Sequence, residues 1–157
     1  MKWRLYILAL SLSGIWCGLL TGFPWLVRFG DARLAAAVSL VCSAVCHQDP
    51  IRSFRLLGVT LPVCSRCTAV YFGAFCGITV FPLLRNLAGL FSKITYLAGI
   101  STMLLGLDVA ADVAGLWHNT FSSRSISGGF LGLTYSLGFL VLLERLRWES
   151  SVKASPT

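Results

Sequence analysis

Charge is scarce in this sequence. Asp, Glu, Lys and Arg make up 12% of its 157 residues, about half of what a soluble domain carries. Acidic residues number six and histidines two. A soluble chain of this length could not hide its apolar surface, because small domains leave much of their surface exposed. There is no internal repeat, heptad pattern or low-complexity tract. No basic face interleaved with aromatics is present either, which argues against nucleic acid as a partner. The apolar N-terminal run lacks an A-x-A cleavage site, and it is too long for a secretory h-region of about 7–15 residues.

What the chain has instead is apolar length. Hydrophobic residues reach 56% and mean hydropathy is +0.78. Lipid is the solvent that such a composition fits. Four runs are near the roughly 20 residues that a transmembrane helix needs: 5–27, 68–84, 95–117 and 126–143. Trp16, Pro24 and Trp25 suit the far end of the first run, where rings favour the interface. A fifth run, 34–45, is too short to span and reads as an interfacial or re-entrant helix. The expected fold is all-α, an integral membrane bundle of four spans in one domain over 1–148, with a polar tail at 149–157. The bilayer is its first partner.

Net charge is +7, with the basic residues at the ends of the apolar runs. Four spans put both termini on one side, with Lys2, Arg4, Arg85, Lys93, Arg145, Arg147 and Lys153. Arg28, Arg33, Arg52, Arg55, Arg66 and Arg124 fall on the other side. If function holds Arg66 and Arg124 inside the fold, the bias grows. The positive-inside rule then predicts an inner (plasma) membrane protein with cytoplasmic termini.

Six cysteines are many for this length. Cys17 and Cys76 lie in apolar runs and read as small core residues. Cys42, Cys46, Cys64 and Cys67 flank or lie in the polar segment 42–67. Cys64-Ser65-Arg66-Cys67 is a C-x-x-C whose thiols can clasp one metal ion or form a disulfide. With Cys46-His47 upstream, three thiolates and an imidazole make a tetrahedral set for zinc. Cys42, four residues before Cys46, can replace His47 as the fourth ligand. His118, at the outer end of the third run, is a further candidate. The rival reading is a dithiol relay to quinone, with Arg66 stabilising a thiolate. The plain alternative is a group of structural cysteines.

Asp108 and Asp112 lie four residues apart on one helix face. Ionisable groups at membrane depth pair or line a pathway. Their expected partners are Arg124 or one of Arg52, Arg55 and Arg66. Asp108, Asp112, Arg66 and Arg124 are therefore the catalytic candidates if the site is reactive. An open metal position would then use a carboxylate as proton acceptor, and the arginines would bind an anionic lipid or a small anionic substrate. A transporter or a subunit of a membrane complex is the third reading. Gly128, Gly129 and Gly132 permit close helix packing.

Cys46-His47-Gln48, Arg52-Ser53, Pro62-x-Cys64-x-Arg66-Cys67-Thr68 and Tyr71-x-Gly73 resemble the signature of the domain of unknown function 2085 family of small prokaryotic membrane proteins. Asp108, and Arg124 followed by Gly128 and Gly132, are similar to its second block. The likeness covers about 42–133. Ala69 stands where the family usually has glycine. Cys42 lies outside the pattern, so the resemblance implies Cys46, His47, Cys64 and Cys67 as the functional set. It implies no reaction.

Overall fold

The computed structural model describes residues 3–85, 89–116 and 119–153, with the backbone alone for 90, 91 and 147–153. Five α-helices form it: α1 (Trp3–Phe29), α2 (Ala32–Ser43), α3 (Ser65–Leu84), α4 (Leu90–Val113) and α5 (Phe121–Lys153). Stretches of α1, α3, α4 and α5 are long and apolar enough to cross a membrane: Trp3–Phe29, Ser65–Leu84, Ser92–Val113 and Phe121–Leu146. Their outward faces carry Leu12, Ile15, Met103, Leu104, Leu107 and Phe139, all exposed. That surface needs lipid around it. The short helix expected at 34–45 forms as α2. Asp31 caps it by accepting the Arg33 N–H at 2.8 Å.

Several helix boundaries differ from the expectation. The third span ends at Val113 rather than 117. Gly115 takes φ +69, and the amides of Gly115 and Leu116 turn back to the carbonyls of Asp112 and Ala111. This is a Schellman ending, which glycine permits. The fourth span starts at Phe121 rather than 126. The Thr120 hydroxyl accepts the Ser123 N–H at 3.1 Å, which caps the new first turn. Ser125 and Ser127 return their hydroxyls to the carbonyls of Phe121 and Ser123, so the serine-rich turn is internally satisfied. Arg124 therefore sits in a helix, not in a loop. At the far end α5 runs on to Lys153, and 154–157 lie outside the described residues.

The most extensive helix pairing is α3 with α5. Glycines allow it. A Cβ at Gly128 would meet the Arg66 carbonyl, one at Gly132 the Val70 carbonyl, and one at Gly73 the Gly129 backbone. The two backbones run almost in contact, as small residues permit in membranes. Helix α4 packs on α5 with the Ser101 and Thr134 hydroxyls bonded at 2.9 Å. Helix α1 covers α3, and α2 folds back on α1.

Between α2 and α3 lies a feature that the sequence reading did not predict. A 3-10 turn (Pro50–Arg52) leads into a two-stranded antiparallel hairpin, β1 (Arg55–Leu56) and β2 (Val59–Thr60). Leu57 and Gly58 at its tip both have positive φ, as a type I′ turn requires. Arg28 at the end of α1 donates to the Leu57 carbonyl at 3.2 Å and holds the tip.

Candidate metal centre

Cys46 follows the end of α2, and its N–H still reaches the Cys42 carbonyl at 2.9 Å. The chain then breaks at Gln48, which adopts φ +53. Its side-chain amide donates to the Ser39 carbonyl at 2.7 Å and to the Pro62 carbonyl at 3.0 Å. One side chain thus ties the end of α2 to the segment entering α3. Asp49 caps the 3-10 turn through the Ile51 N–H, and the buried Ser53 hydroxyl bonds the Asp49 carbonyl. After the hairpin, Val63 is fully buried beside Cys46, Leu20 and Phe23. That burial brings Cys64 to the N-cap of α3.

The sulfurs of Cys46, Cys64 and Cys67 all lie within 4.8 Å of one another. The Cys64 backbone N–H donates to the Cys46 sulfur at 3.2 Å, which ties the end of the α2 segment to the start of α3. Cys64 occupies the N-cap of α3, where the helix dipole favours a thiolate, and Cys67 lies in the first turn. A hydrogen bond from the Cys67 thiol brings the Cys64 pKa down from an ordinary 9.0 to about 5. Burial opposes the change; the backbone amides of Cys67 and Arg66 and the Cys46 thiol add to it. All three cysteines are free of disulfides. Three soft sulfur donors at these distances could hold one metal ion. Tetrahedral coordination at a Zn–S distance of about 2.3 Å would draw the sulfurs to about 3.8 Å apart.

The other sequence candidates fall in different places. His47 is exposed and stands outside the three-sulfur group. Cys42 is fully buried in α2, also outside the group; burial, followed by proximity to Cys46, pushes its thiol pKa up. His118 lies outside the described residues. Cys17 is buried, as expected of a core residue, whereas Cys76 is exposed on α3.

The side chain of Arg66 engages α4. Its guanidinium meets the Asp108 carboxylate at 2.6 Å, and its Nε is buried without a hydrogen-bond partner. Asn119 joins both carboxylates: its side-chain amide donates to the backbone and side-chain oxygens of Asp108, and its N–H donates to Asp112 at 3.2 Å. The Ser127 hydroxyl reaches Asp108 at 3.4 Å. Arg124 and Arg52 approach one oxygen of Asp112 at 3.6 and 3.7 Å. Arg52 also pairs with Asp49 at 3.0 Å. The four catalytic candidates therefore form one network, hinged to the thiol cluster through the C-x-R-C motif. Sequence reasoning missed Gln48, Asn119 and Ser127. Asn119, directly before the cap of an apolar helix, carried a usable signal. Gln48 carried none beyond its place after Cys46-His47.

An uncharacterised protein of Methanocaldococcus jannaschii is 30% identical over 116 residues, covering 71% of this chain and 74% of its own length. A second, from Methanothermobacter thermautotrophicus, is 55% identical over 31 residues, covering 20% of this chain and 28% of its own. No solved structure matches the chain. The family model described as a predicted membrane protein (DUF2085) matches residues 46–137, from the first thiol of the cluster to the middle of α5. The chain belongs to this family of predicted membrane proteins.

Proposed function

We propose that this protein is a membrane-embedded metal protein, with zinc bound by the thiolates of Cys46, Cys64 and Cys67. The carrying observation is the convergence of three sulfurs within 4.8 Å from two separate chain segments. The fourth position falls to His47, if its exposed ring swings inward, or to an exchangeable ligand. A closed four-ligand site is structural, and three protein ligands with an open position mark a catalytic one. In the closed form, bound zinc would pin the 42–67 segment to the bundle; in the open form it would supply Lewis acidity at the membrane face. In the open form Asp108 or Asp112 would be the proton acceptor, with Arg66 and Arg124 holding them in position. The orientation that fits the charge bias is cytoplasmic termini in the inner (plasma) membrane, with the cluster outside.

Replacement of single thiols tests this reading. Cys46→Ser, Cys64→Ser and Cys67→Ser should each cut the zinc content of purified protein to below about half an ion per chain, while Cys42→Ser keeps it. Equal zinc in all four variants would contradict the ligand set.

A second reading has its own support. Cys64 at a helix N-cap, ionised at neutral pH and one turn from Cys67, is the arrangement of a reactive dithiol. In that case the pair would close to a disulfide, passing two electrons and the Cys67 proton to quinone, which takes its second proton from water. Dithiothreitol would reopen the bond, and quinone would restore it. The third reading, a transporter or a subunit of a membrane complex, predicts that cysteine replacement leaves function intact while Asp108 or Arg124 replacement does not.

A further inference from the structure

Away from the thiols, a cleft of about 470 Å³ opens where the 3-10 turn meets the facing ends of α4 and α5. Its lining includes Arg52, Asp112, Asn119, Arg124 and the apolar Ile51 and Phe121. Volumes of about 300–1,000 Å³ suit a small ligand or headgroup. Next to it lies a second cleft of about 480 Å³, which shares Ile51 and Phe121 and adds Phe54 and Arg55.

Three observations point to an anion in the first cleft. Arg124 is a nine-tenths-buried charged side chain on its wall. Its contact with Asp112, at 3.6 Å, is longer than a hydrogen bond. Arg52 uses Nε for Asp49 at 3.0 Å and brings a terminal nitrogen only to 3.7 Å from Asp112. Two guanidiniums thus share one carboxylate oxygen loosely, and both retain fork-like donors suited to phosphate. Asp49 and Asp112 offset their charge, so the cleft selects by donor geometry more than by net charge.

The location points to lipid as the source. Phe121 begins one membrane span, and Asp112 stands one residue from the end of another. The cleft is therefore at headgroup depth. Ile51 is 85% exposed and Phe121 is half-exposed; their apolar surfaces can receive the glycerol and upper acyl carbons below a phosphate. The second cleft extends this apolar wall past the Phe54 and Phe121 rings, whose centroids lie 5.7 Å apart.

We propose that the cleft between Arg52 and Arg124 binds the phosphate of a membrane phospholipid. The test uses full-length protein in maltoside micelles, with affinities measured by native mass spectrometry. Dihexanoyl phosphatidylglycerol is one probe, dihexanoylglycerol the phosphate-free control, and inorganic phosphate the third arm. The wild type should hold one phosphatidylglycerol and no dihexanoylglycerol. Arg52→Gln should weaken binding about tenfold, the loss of a charge-assisted contact. Asp112→Asn should tighten it, because the carboxylate competes for the same guanidiniums; a misfolded variant could not do so. Equal affinity in the wild type and both variants would overturn the proposal. So would Arg52-dependent binding of inorganic phosphate with none of the lipid, which would mark a free-anion site instead.

Discussion

Cys64 concentrates the chemistry of the molecule in one residue. It caps α3, donates its amide to the Cys46 sulfur, and has its own thiol pulled down to about 5. The sign of this shift has two consequences in metal-stripped protein. Thiolate is the alkylating species, so iodoacetamide should modify Cys64 readily at pH 7, with the rate falling only as pH drops through about 5; a fall already beginning near pH 9 would mark an ordinary thiol. Because the folded pKa lies below the unfolded one, the native state gains stability as pH rises from about 5 to 9 and loses it as pH falls through that window. Gln48 acts on the same centre without touching a sulfur. Gln48→Ala leaves two backbone carbonyls without their shared donor; it should cost about 1–3 kcal/mol of stability, read by chemical unfolding, and lower zinc occupancy. No change in either would remove Gln48 from the positioning role. The thiols themselves were legible because C-x-x-C and C-H are chemical patterns. Gln48 was not, since its role depends on a positive φ and on two carbonyls 23 positions apart that only the fold brings together.

At the scale of elements, run length carried most of the information. Four long apolar runs and one short one became four spans and α2, because a bilayer tolerates only segments that satisfy their own backbone. The ends were less legible. Gly115 stopped α4 early through a Schellman turn, and Thr120 with hydroxyl back-bonding from Ser125 and Ser127 carried α5 back over a stretch that composition marks as loop. The hairpin between α2 and α3 was hidden because its strands are two residues long, too short for any alternation to register. The α3–α5 seam is the element on which the site depends. Gly132→Val would place a side chain against the Val70 carbonyl, and overpacking of this kind costs about 1–3 kcal/mol. The seam also holds Arg66 opposite Gly128, so the variant should lower zinc occupancy together with stability. Ala98→Val, on α4, should leave occupancy unchanged. If Gly132→Val retains both wild-type stability and zinc, the seam is not what positions the C-x-R-C turn.

For the whole molecule, the thiol cluster and the arginine–aspartate network occupy one end of the bundle, where α3 and α5 begin and α4 ends. The orientation proposed from the charge bias puts that end outside. A green fluorescent protein fused after the last residue should therefore fluoresce, and an alkaline phosphatase fused there should be inactive; the reverse pattern would invert the orientation. The central claim concerns what the three sulfurs hold. Zinc K-edge X-ray absorption on purified protein with reduced cysteines tests it most directly. The account predicts about one zinc per chain, with three sulfur neighbours near 2.3 Å and one lighter atom near 2.0–2.1 Å. Fewer than about half a metal ion per chain, or a shell of nitrogen and oxygen alone, would contradict it.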